Sequence, residues 1–283
     1  MLAWVPIDHA PVPPKVRAFL SRDNVTPVAM SKFGSHELNR LGIDHVCIPH
    51  GIDTDIYKPT EQVDDNGAKV TGRDLMGVPD GAHVTGIVNA NKGVAPLRKA
   101  FDVQLLAWSE FARNKPDAHL YIHAEMYGQM GGIPLEPLLY SCGAPMDRVH
   151  FVNQYRLRAG LVDEAMAAIY TGIDVLLAPT MGEGFGLTVA EFGAAEGRAI
   201  VSDFSAQPEL VVDGWAVGGQ PTWDPAQGAW MHMPAIVEII DALNESYEDR
   251  RRSPAARQHI VDNYSADGLY ETGWRELWKR LAP

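Results

Sequence analysis

Residues 174–191 of the 283-residue chain have the sequence DVLLAPTMGEGFGLTVAE, in which an apolar segment leads through three glycines into a helical pattern. We expect a strand over 174–178 and a helix over 187–196. In an open parallel sheet such a loop lies at the carboxyl end of its strand, where ligands bind. Glycines let the backbone approach a phosphate, and a helix N-terminus offers unpaired N–H groups. The pattern predicts an anion site, although an ordinary glycine-rich turn between two solvated glutamates fits it equally well.

Strands and helices alternate around this segment. Helices are expected after Arg98 and over 162–170, and the first of them has apolar residues at three- and four-residue spacing: Phe101, Leu105, Trp108 and Ala112. The further strands are expected over 84–89, 119–123, 149–152 and 199–202. This alternation predicts an α/β fold, with a Rossmann-like parallel sheet and helices on both faces.

Composition excludes several classes of protein. The net charge is −12 at pH 7, which disfavours general binding to nucleic acid or to an anionic membrane. The only cysteines, Cys47 and Cys142, are expected to be unpaired thiols, as in the reducing cytoplasm. No apolar run approaches the ~20 residues of a membrane span, and the start has no signal-peptide pattern. We therefore expect a cytoplasmic protein without a transmembrane segment.

The segment Glu183-Gly-Phe-Gly-Leu-Thr-Val-Ala-Glu191 resembles the E-x7-E signature of retaining glycosyltransferases of the GT-B fold, especially glycosyltransferase family 4 (glycosyl transferases group 1). Three other segments resemble that family in the same order along the chain. They are the interdomain crossing at 31–34, 42 and 48–59, the diphosphate-binding segment at 89–91 with Arg98 and Lys99, and the strand and loop from 197–202 to Glu209.

The resemblance implies a role for each matching residue. Glu183 would face the donor sugar, Glu191 would hold the ribose of the nucleotide, and Glu209 would orient one of the basic residues. Asn91 belongs to the diphosphate-binding segment. Backbone groups of Gly184, Phe185, Gly186 and Leu187 would contact phosphate or sugar, and those of Phe151, Val152 and Asn153 would border the base.

Arg98 and Lys99 precede a helix, where cations are disfavoured by the helix dipole unless an anion is close. The alternative is a solvated basic pair. A nucleoside diphosphate gathers negative charge as it leaves, and charge-assisted hydrogen bonds from these side chains would replace a metal. Lys92 is a second candidate for this role. No cluster of His, Cys or Asp has metal-ligand spacing, so we expect no metal or cofactor, and a UDP-, GDP- or ADP-sugar as substrate.

Three histidines lie near these segments. His50, in a Pro-His-Gly turn, is expected to be structural. His123 closes a strand on the cleft side, and its role stays open. His9 lies where the first domain of the resembled family approaches the cleft, so it is a candidate for contact with substrate.

The resemblance also implies three regions. Residues 1–44 would be a short remnant of the acceptor-side domain with the interdomain crossing, 45–255 the nucleotide-sugar-binding domain, and 256–283 a helix that crosses back. The last helix has an apolar stripe of Tyr270, Trp274, Leu277, Trp278 and Leu281, which needs a partner surface. This surface is supplied either by the N-terminal piece or by a separate chain or second copy. The third alternative is that the sequence is a truncated gene product.

We therefore expect a metal-independent glycosyltransferase that retains anomeric configuration and acts on an unidentified acceptor. The alternatives are a nucleotide-sugar-binding module that needs a partner chain, and another enzyme of the GT-B fold such as an epimerase or a phosphorylase. The sequence does not reveal the donor base, the donor sugar or the acceptor.

Overall fold

A computed structural model describes residues 1–63, 69–93 and 98–281. The strands are β1 (Leu2–Val5), β2 (Thr26–Ala29), β3 (Val46–Cys47), β4 (Gln62–Val63), β5 (Lys69–Val70), β6 (His83–Val88), β7 (Ala118–His123), β8 (Val149–Phe151), β9 (Val175–Leu177), β10 (Arg198–Ser202), β11 (Trp215–Val217), β12 (Gly219–Asp224) and β13 (Ala229–Pro234). The helices are α1 (Pro14–Leu20), α2 (Lys32–Arg40), α3 (Gly72–Met76), α4 (Phe101–Ala112), α5 (Leu135–Ser141), α6 (Gln154–Ala159), α7 (Asp163–Gly172), α8 (Leu187–Ala194), α9 (Ile236–Glu248), α10 (Pro254–Tyr264), α11 (Ala266–Leu269) and α12 (Arg275–Leu281).

The main sheet has six strands in the order β11-β10-β9-β6-β7-β8, all parallel. The strand order reverses between β6 and β9, which pair at Thr85↔Val175 and Gly86↔Leu176. A crevice opens at such a reversal beyond the carboxyl ends of the strands. The predicted α/β fold with a parallel sheet is confirmed, and the sheet places the 182–186 loop and the residues after β6 side by side.

Helices cover both faces of the main sheet. Phe111 and Trp108 of α4 pack with Leu243 of α9 on one face, and all three are buried. On the other face, Phe192 of α8 packs with Ile260 of α10. Apolar burial of this kind stabilises the domain by roughly 25 cal/mol per Å² removed from water, and it fixes the strand ends that carry the site.

The N-terminal segment forms a small parallel sheet of its own, in the order β1-β2-β3. A serine directly before a helical run is typical of a helix cap, so Ser31 predicts the start of a helix that runs to Arg40. In the structure Ser31 caps α2, because its hydroxyl accepts a hydrogen bond of 3.1 Å from the amide of Gly34. The carboxylate of Glu209 accepts two more, from the amides of Lys32 (2.9 Å) and Phe33 (2.7 Å). Glu209 thereby joins the main domain to the N-terminal sheet.

A hairpin of β12 and β13 follows the main sheet, in a region for which the sequence pattern predicts no strand. The sequence hides it because β12 begins at Gly219 and contains Pro221, and both residue types are disfavoured in strands. The hairpin reaches the N-terminal segment through two backbone hydrogen bonds between Ala10 and Trp230, of 3.0 and 2.9 Å. It therefore brings a second part of the chain to the cleft.

The expected continuous helix over 269–281 is interrupted. A π-helical turn at Tyr270–Trp274 separates α11 from α12. Of the apolar stripe, Trp274 and Leu277 pack on Val28 and Ile48 of the N-terminal sheet. The side chains that stay exposed, by 54%, 54% and 45%, are Tyr270, Trp278 and Leu281.

Candidate functional site

A cavity of about 430 Å³ lies at the carboxyl ends of β6 and β9. We call it the central cavity. It is lined by the loop and first helical turn at 183–188, by Asn89 and Ala90 after β6, by Arg98 and Lys99, and by Pro6, Asp8 and His50. The predicted candidates Glu183, Gly184, Phe185, Gly186, Leu187, Arg98 and Lys99 all line it.

The turn that carries Arg98 and Lys99 is held against the loop after β9. The carbonyl of Arg98 accepts a hydrogen bond of 2.8 Å from the amide of Met181. The buried amide of Gln104 donates to the carbonyls of Lys99 (2.6 Å) and Pro179 (3.0 Å). These bonds fix both basic residues at the start of α4.

Both cations converge on one buried carboxylate. Arg98 Nη1 lies 3.1 Å from Glu183 Oε2, and Lys99 Nζ pairs with Glu183 Oε1. Arg98 Nη1 also lies 3.8 Å from Asp8 Oδ2. Burial by itself lowers the pKa of Arg98, but the charges of Glu183 and Asp8 outweigh it and raise that pKa. Two fixed positive charges at this depth are suited to binding a polyanion.

The glycines of the loop also serve packing against the N-terminal segment. A Cβ on Gly182 would lie 2.2 Å from the carbonyl oxygen of Asp8, and one on Gly184 would lie 2.3 Å from Pro6 Cβ. Gly186, which precedes α8, has a φ of +111°, a conformation that side chains rarely adopt. Glycine is therefore required here by the close approach of residues 6–8 as well as by backbone conformation.

Thr188, in the first turn of α8, lines the central cavity, and Glu191 lies one turn after it in the same helix. Its carboxylate accepts a hydrogen bond of 2.8 Å from the Tyr170 hydroxyl. Burial raises the pKa of Glu191 to about 7, against the opposing effect of that hydrogen bond. Glu191 itself is not among the described residues that line the cavities.

A second cavity, of about 330 Å³, opens beside the central one and shares Val88, Asn89, Ala90 and Thr188 with it. We call it the side cavity. Candidates Asn91, Lys92 and His123 line it, with Leu157 of α6. Burial lowers the pKa of His123 to about 4, so this imidazole is neutral at physiological pH.

The side chain of Asn91 hydrogen-bonds to the loop between β7 and α5. Its Nδ2 donates to the carbonyls of Glu125 (2.8 Å) and Ile133 (2.7 Å), and its Oδ1 accepts from the amide of Ile133 (3.0 Å). The side chain therefore braces the wall of the side cavity. Residues 94–97, between Asn91 and Arg98, lie outside the described residues.

The three residues expected to border a base lie at the end of β8 and directly after it. Val152 is buried in the core, and the side chain of Asn153 caps α6 by accepting from the amides of Tyr155 and Arg156, each at 3.1 Å. Phe151, Val152 and Asn153 are not among the described residues that line either cavity. Leu157, one turn further on, lines the side cavity.

Comparison with known proteins gives the following relatives. No family model matches the chain. A curated protein, D-inositol 3-phosphate glycosyltransferase from Segniliparus rotundus, is 24% identical over 227 residues, which are 77% of this chain and 46% of that protein. The chain thus spans about half the length of this relative.

Several solved structures share the architecture. Sucrose-phosphate synthase from Thermosynechococcus elongatus superposes with a TM-score of 0.72 at 17% identity, over 94% of this chain and 60% of that one. A glycosyltransferase from Rickettsia africae gives 0.72 at 14% identity, over 99% and 70%. HepE from Anabaena, in complex with UDP and glucose, gives 0.67 at 14% identity, over 98% and 70%. The fold is that of the GT-B glycosyltransferases.

Within this GT-B fold, Glu209 and His50 have defined neighbours. The carboxylate of Glu209, expected to orient a basic residue, instead receives the two amides at the start of α2. His50 lies between Trp4 and Phe185, with ring centroids 4.1 and 5.3 Å away, and lines the central cavity. Burial lowers the pKa of His50.

His9 is buried between two carboxylates that sequence reasoning did not single out. Its Nδ1 lies 2.6 Å from Asp8 Oδ1, and its Nε2 lies 3.2 Å from Asp224 Oδ2. Burial by itself lowers the pKa of His9, but Asp8 and Asp224 outweigh it and raise that pKa. Asp8 was within reach of the sequence, because it is adjacent to His9. Asp224 was not, because it comes from the unexpected hairpin.

In the part of the chain that the structure describes, no three His, Cys, Asp or Glu side chains are grouped to hold a metal ion. Over the same residues, every helix is too short or too polar to cross a bilayer.

Proposed function

We propose that this chain binds a nucleoside-diphosphate sugar and transfers the sugar to a hydroxylated acceptor. One observation carries the proposal: Arg98 and Lys99 converge on Glu183 inside the central cavity, at the strand reversal of a GT-B fold. The D-inositol 3-phosphate glycosyltransferase relative and the HepE complex with UDP and glucose support the same ligand class.

The diphosphate would lie against Arg98, Lys99 and the start of α8. Its charge competes with Glu183 for both cations, so that binding frees the Glu183 carboxylate to face the donor sugar. As the bond between the anomeric carbon and the diphosphate oxygen breaks, the cations stabilise the leaving group. The acceptor oxygen bonds to the anomeric carbon, and the hydroxyl proton passes to a phosphate oxygen. These fixed cations support transfer without a metal, and the E-x7-E resemblance supports retention of configuration.

The nucleoside would extend into the side cavity. This cavity meets the central one at Thr188, and Glu191 lies one turn further along the same helix face. The half-buried Glu191 carboxylate, oriented by Tyr170, would accept hydrogen bonds from the ribose hydroxyls. Leu157 and the neutral imidazole of His123 would contact the base.

A second candidate is a nucleotide-sugar-binding module that transfers sugar only with a partner chain. The basic pair and Glu183 in the central cavity support it, because such a site binds the donor diphosphate whether or not transfer follows. An epimerase or a phosphorylase on the same fold remains the further alternative, and product analysis with the bound donor separates these enzymes from a transferase.

The first test is calorimetric titration of the chain with UDP, GDP and ADP. We expect one nucleotide to bind, and Glu191→Ala and Lys99→Met to weaken it about tenfold or more, because each removes a charged hydrogen-bond partner. Lys58→Met, at an exposed lysine, is the matched control and should bind like the wild type. Nucleotide at about 100 times its dissociation constant should also stabilise the fold by ~2.7 kcal/mol.

Two results would decide against the proposal. If no nucleotide binds to the folded chain, the proposed donor site does not exist. Binding that is equal in the wild type, Lys99→Met and Glu191→Ala places the nucleotide elsewhere. If a nucleotide binds at this site but its sugar derivative is neither hydrolysed nor transferred, the binding module is the correct reading for this chain alone.

A further inference from the structure

A third cavity, of about 280 Å³, lies on the other side of the central one. We call it the hairpin cavity. Its polar wall consists of Asp8, His9, Arg98, Asp224 and Gln227. It shares Pro6, Asp8 and Arg98 with the central cavity, whereas the side cavity meets the central one at Val88–Ala90 and Thr188. The three cavities therefore form a row, with Arg98 and Glu183 in the middle one.

Asp8 stands on the wall between the central and hairpin cavities. Its Oδ1 is held by His9 at 2.6 Å, whereas its Oδ2 lies 3.8 Å from Arg98, too far for a hydrogen bond. The side chain is 25% exposed. Oδ2 is thus a fixed carboxylate oxygen with capacity for a further donor, at the point where the two cavities join.

Asp224 of the hairpin positions Asp8 through contacts with His9. Asp224 Oδ1 accepts a hydrogen bond of 2.8 Å from the amide of Ala226, which fixes the side chain in the hairpin turn. Asp224 Oδ2 then lies 3.2 Å from His9 Nε2, and His9 contacts Asp8. His9 contacts both carboxylates and Arg98 lies on the same wall, so that the cavity presents hydrogen-bond donors and acceptors side by side.

The remaining wall is suited to a sugar ring or a polyol. The exposed amide of Gln227 can donate and accept, and Met231, Val16 and Pro13 add apolar surface. A polyhydroxylated ligand presents hydroxyl donors to a carboxylate and C–H faces to apolar side chains. A few placed polar groups on an apolar wall are typical of such pockets.

We propose that the hairpin cavity binds the acceptor, a sugar or polyol, and that Asp8 Oδ2 accepts a hydrogen bond from one of its hydroxyls beside the donor sugar. Asp224 and His9 are positioning residues for Asp8, and Gln227 contributes to acceptor specificity. This inference rests on the proposed donor site and assigns the acceptor side of the same cleft to the N-terminal segment and the hairpin.

The test is NMR titration of the full chain with D-glucose and with myo-inositol, in the presence of the saturating nucleotide found above. We expect at least one of these probes to bind, and Asp8→Asn and Gln227→Ala each to weaken it by about tenfold. Gln220→Ala replaces the same residue type at an exposed position of the same hairpin, and should leave probe binding unchanged. Because Gln227 is exposed, its variant should fold even if Asp8→Asn does not.

The outcomes separate this inference from the function on which it rests. If no nucleotide binds, the proposed function fails and the acceptor site falls with it. If a nucleotide binds but neither probe does, or if a probe binds equally to the wild type and Gln227→Ala, the donor site stands and the acceptor site is overturned.

Discussion

At the scale of single residues, the charges of the cleft form an alternating series. Asp224, His9 and Asp8 lead to Arg98, which pairs with Glu183, and Glu183 also pairs with Lys99. Asp8 lies between His9 and Arg98, and Glu183 lies between Arg98 and Lys99. We therefore expect an anionic ligand at Arg98 and Lys99 to disrupt their ion pairs with Glu183 before it affects the other contacts.

Glu191 gives a prediction for the dependence of stability on pH. Its pKa is about 7 in the fold and 4.5 in the unfolded chain, so the folded state holds the proton more tightly. The free energy of unfolding therefore falls as pH rises from about 4.5 through 7. Glu191→Gln has no ionisable group at this position, so its free energy of unfolding lacks this dependence on pH. The variant should be more stable than the wild type at pH 8 by on the order of 1–3 kcal/mol.

Urea unfolding of both proteins at pH 5 and pH 8 measures the effect. The advantage of Glu191→Gln should be small at pH 5, where the folded wild type is already protonated at this position. A difference that is the same at both pH values would mean that Glu191 ionises normally in the fold.

At the scale of elements, the loop before α8 meets the N-terminal segment more closely than any side chain allows. Gly184→Ala places a methyl group 2.3 Å from Pro6 Cβ and 2.7 Å from its Cα, so the backbone must move. We expect a loss of roughly 1–3 kcal/mol of stability, together with weaker nucleotide binding, because Pro6 and Gly184 both line the central cavity.

Gly143→Ala is the control for this prediction. Gly143 has a φ of +70° and nothing within 4 Å of an added Cβ, so its substitution carries only the backbone cost of roughly 1–2 kcal/mol. It should leave nucleotide affinity unchanged. Equal nucleotide affinities in the two variants would show that contact between Pro6 and the loop does not shape the cavity.

At the scale of the whole molecule, the C-terminal helix ties the chain back to its N-terminal sheet. Leu277 of α12 is 4% exposed and packs with Val28 and Ile48. Leu277→Ala should lower the free energy of unfolding by about 2–5 kcal/mol, because it leaves a cavity at this junction.

Leu281 provides the matched control, since it lies on the same helix and is 45% exposed. Leu281→Ala should change stability by no more than about 0.5 kcal/mol. Urea denaturation of the three proteins checks both values. Similar losses in the two variants would indicate that Leu281 is also covered in solution, by a second copy or another chain.

The sequence by itself determined the features that are set by local pattern. The alternation of buried strands and amphipathic helices specified a parallel α/β sheet, and Ser31 marked the start of α2 because a cap needs only residues three positions apart. The glycine-rich loop and the Arg98–Lys99 pair could be found because each lies at a strand-to-helix transition. Their convergence on the central cavity follows from the sheet topology.

Only the tertiary structure decided the contacts between distant segments. His9 meets Asp224 across 215 residues, and Glu209 reaches the start of α2 across 177. The hairpin that carries Asp224 is held partly by its pairing with Ala10, which overrides the poor strand propensity of Gly219 and Pro221. Such contacts depend on packing and backbone pairing between remote parts of one chain. Periodicity in a sequence indicates local secondary structure and does not predict which distant segments are in contact.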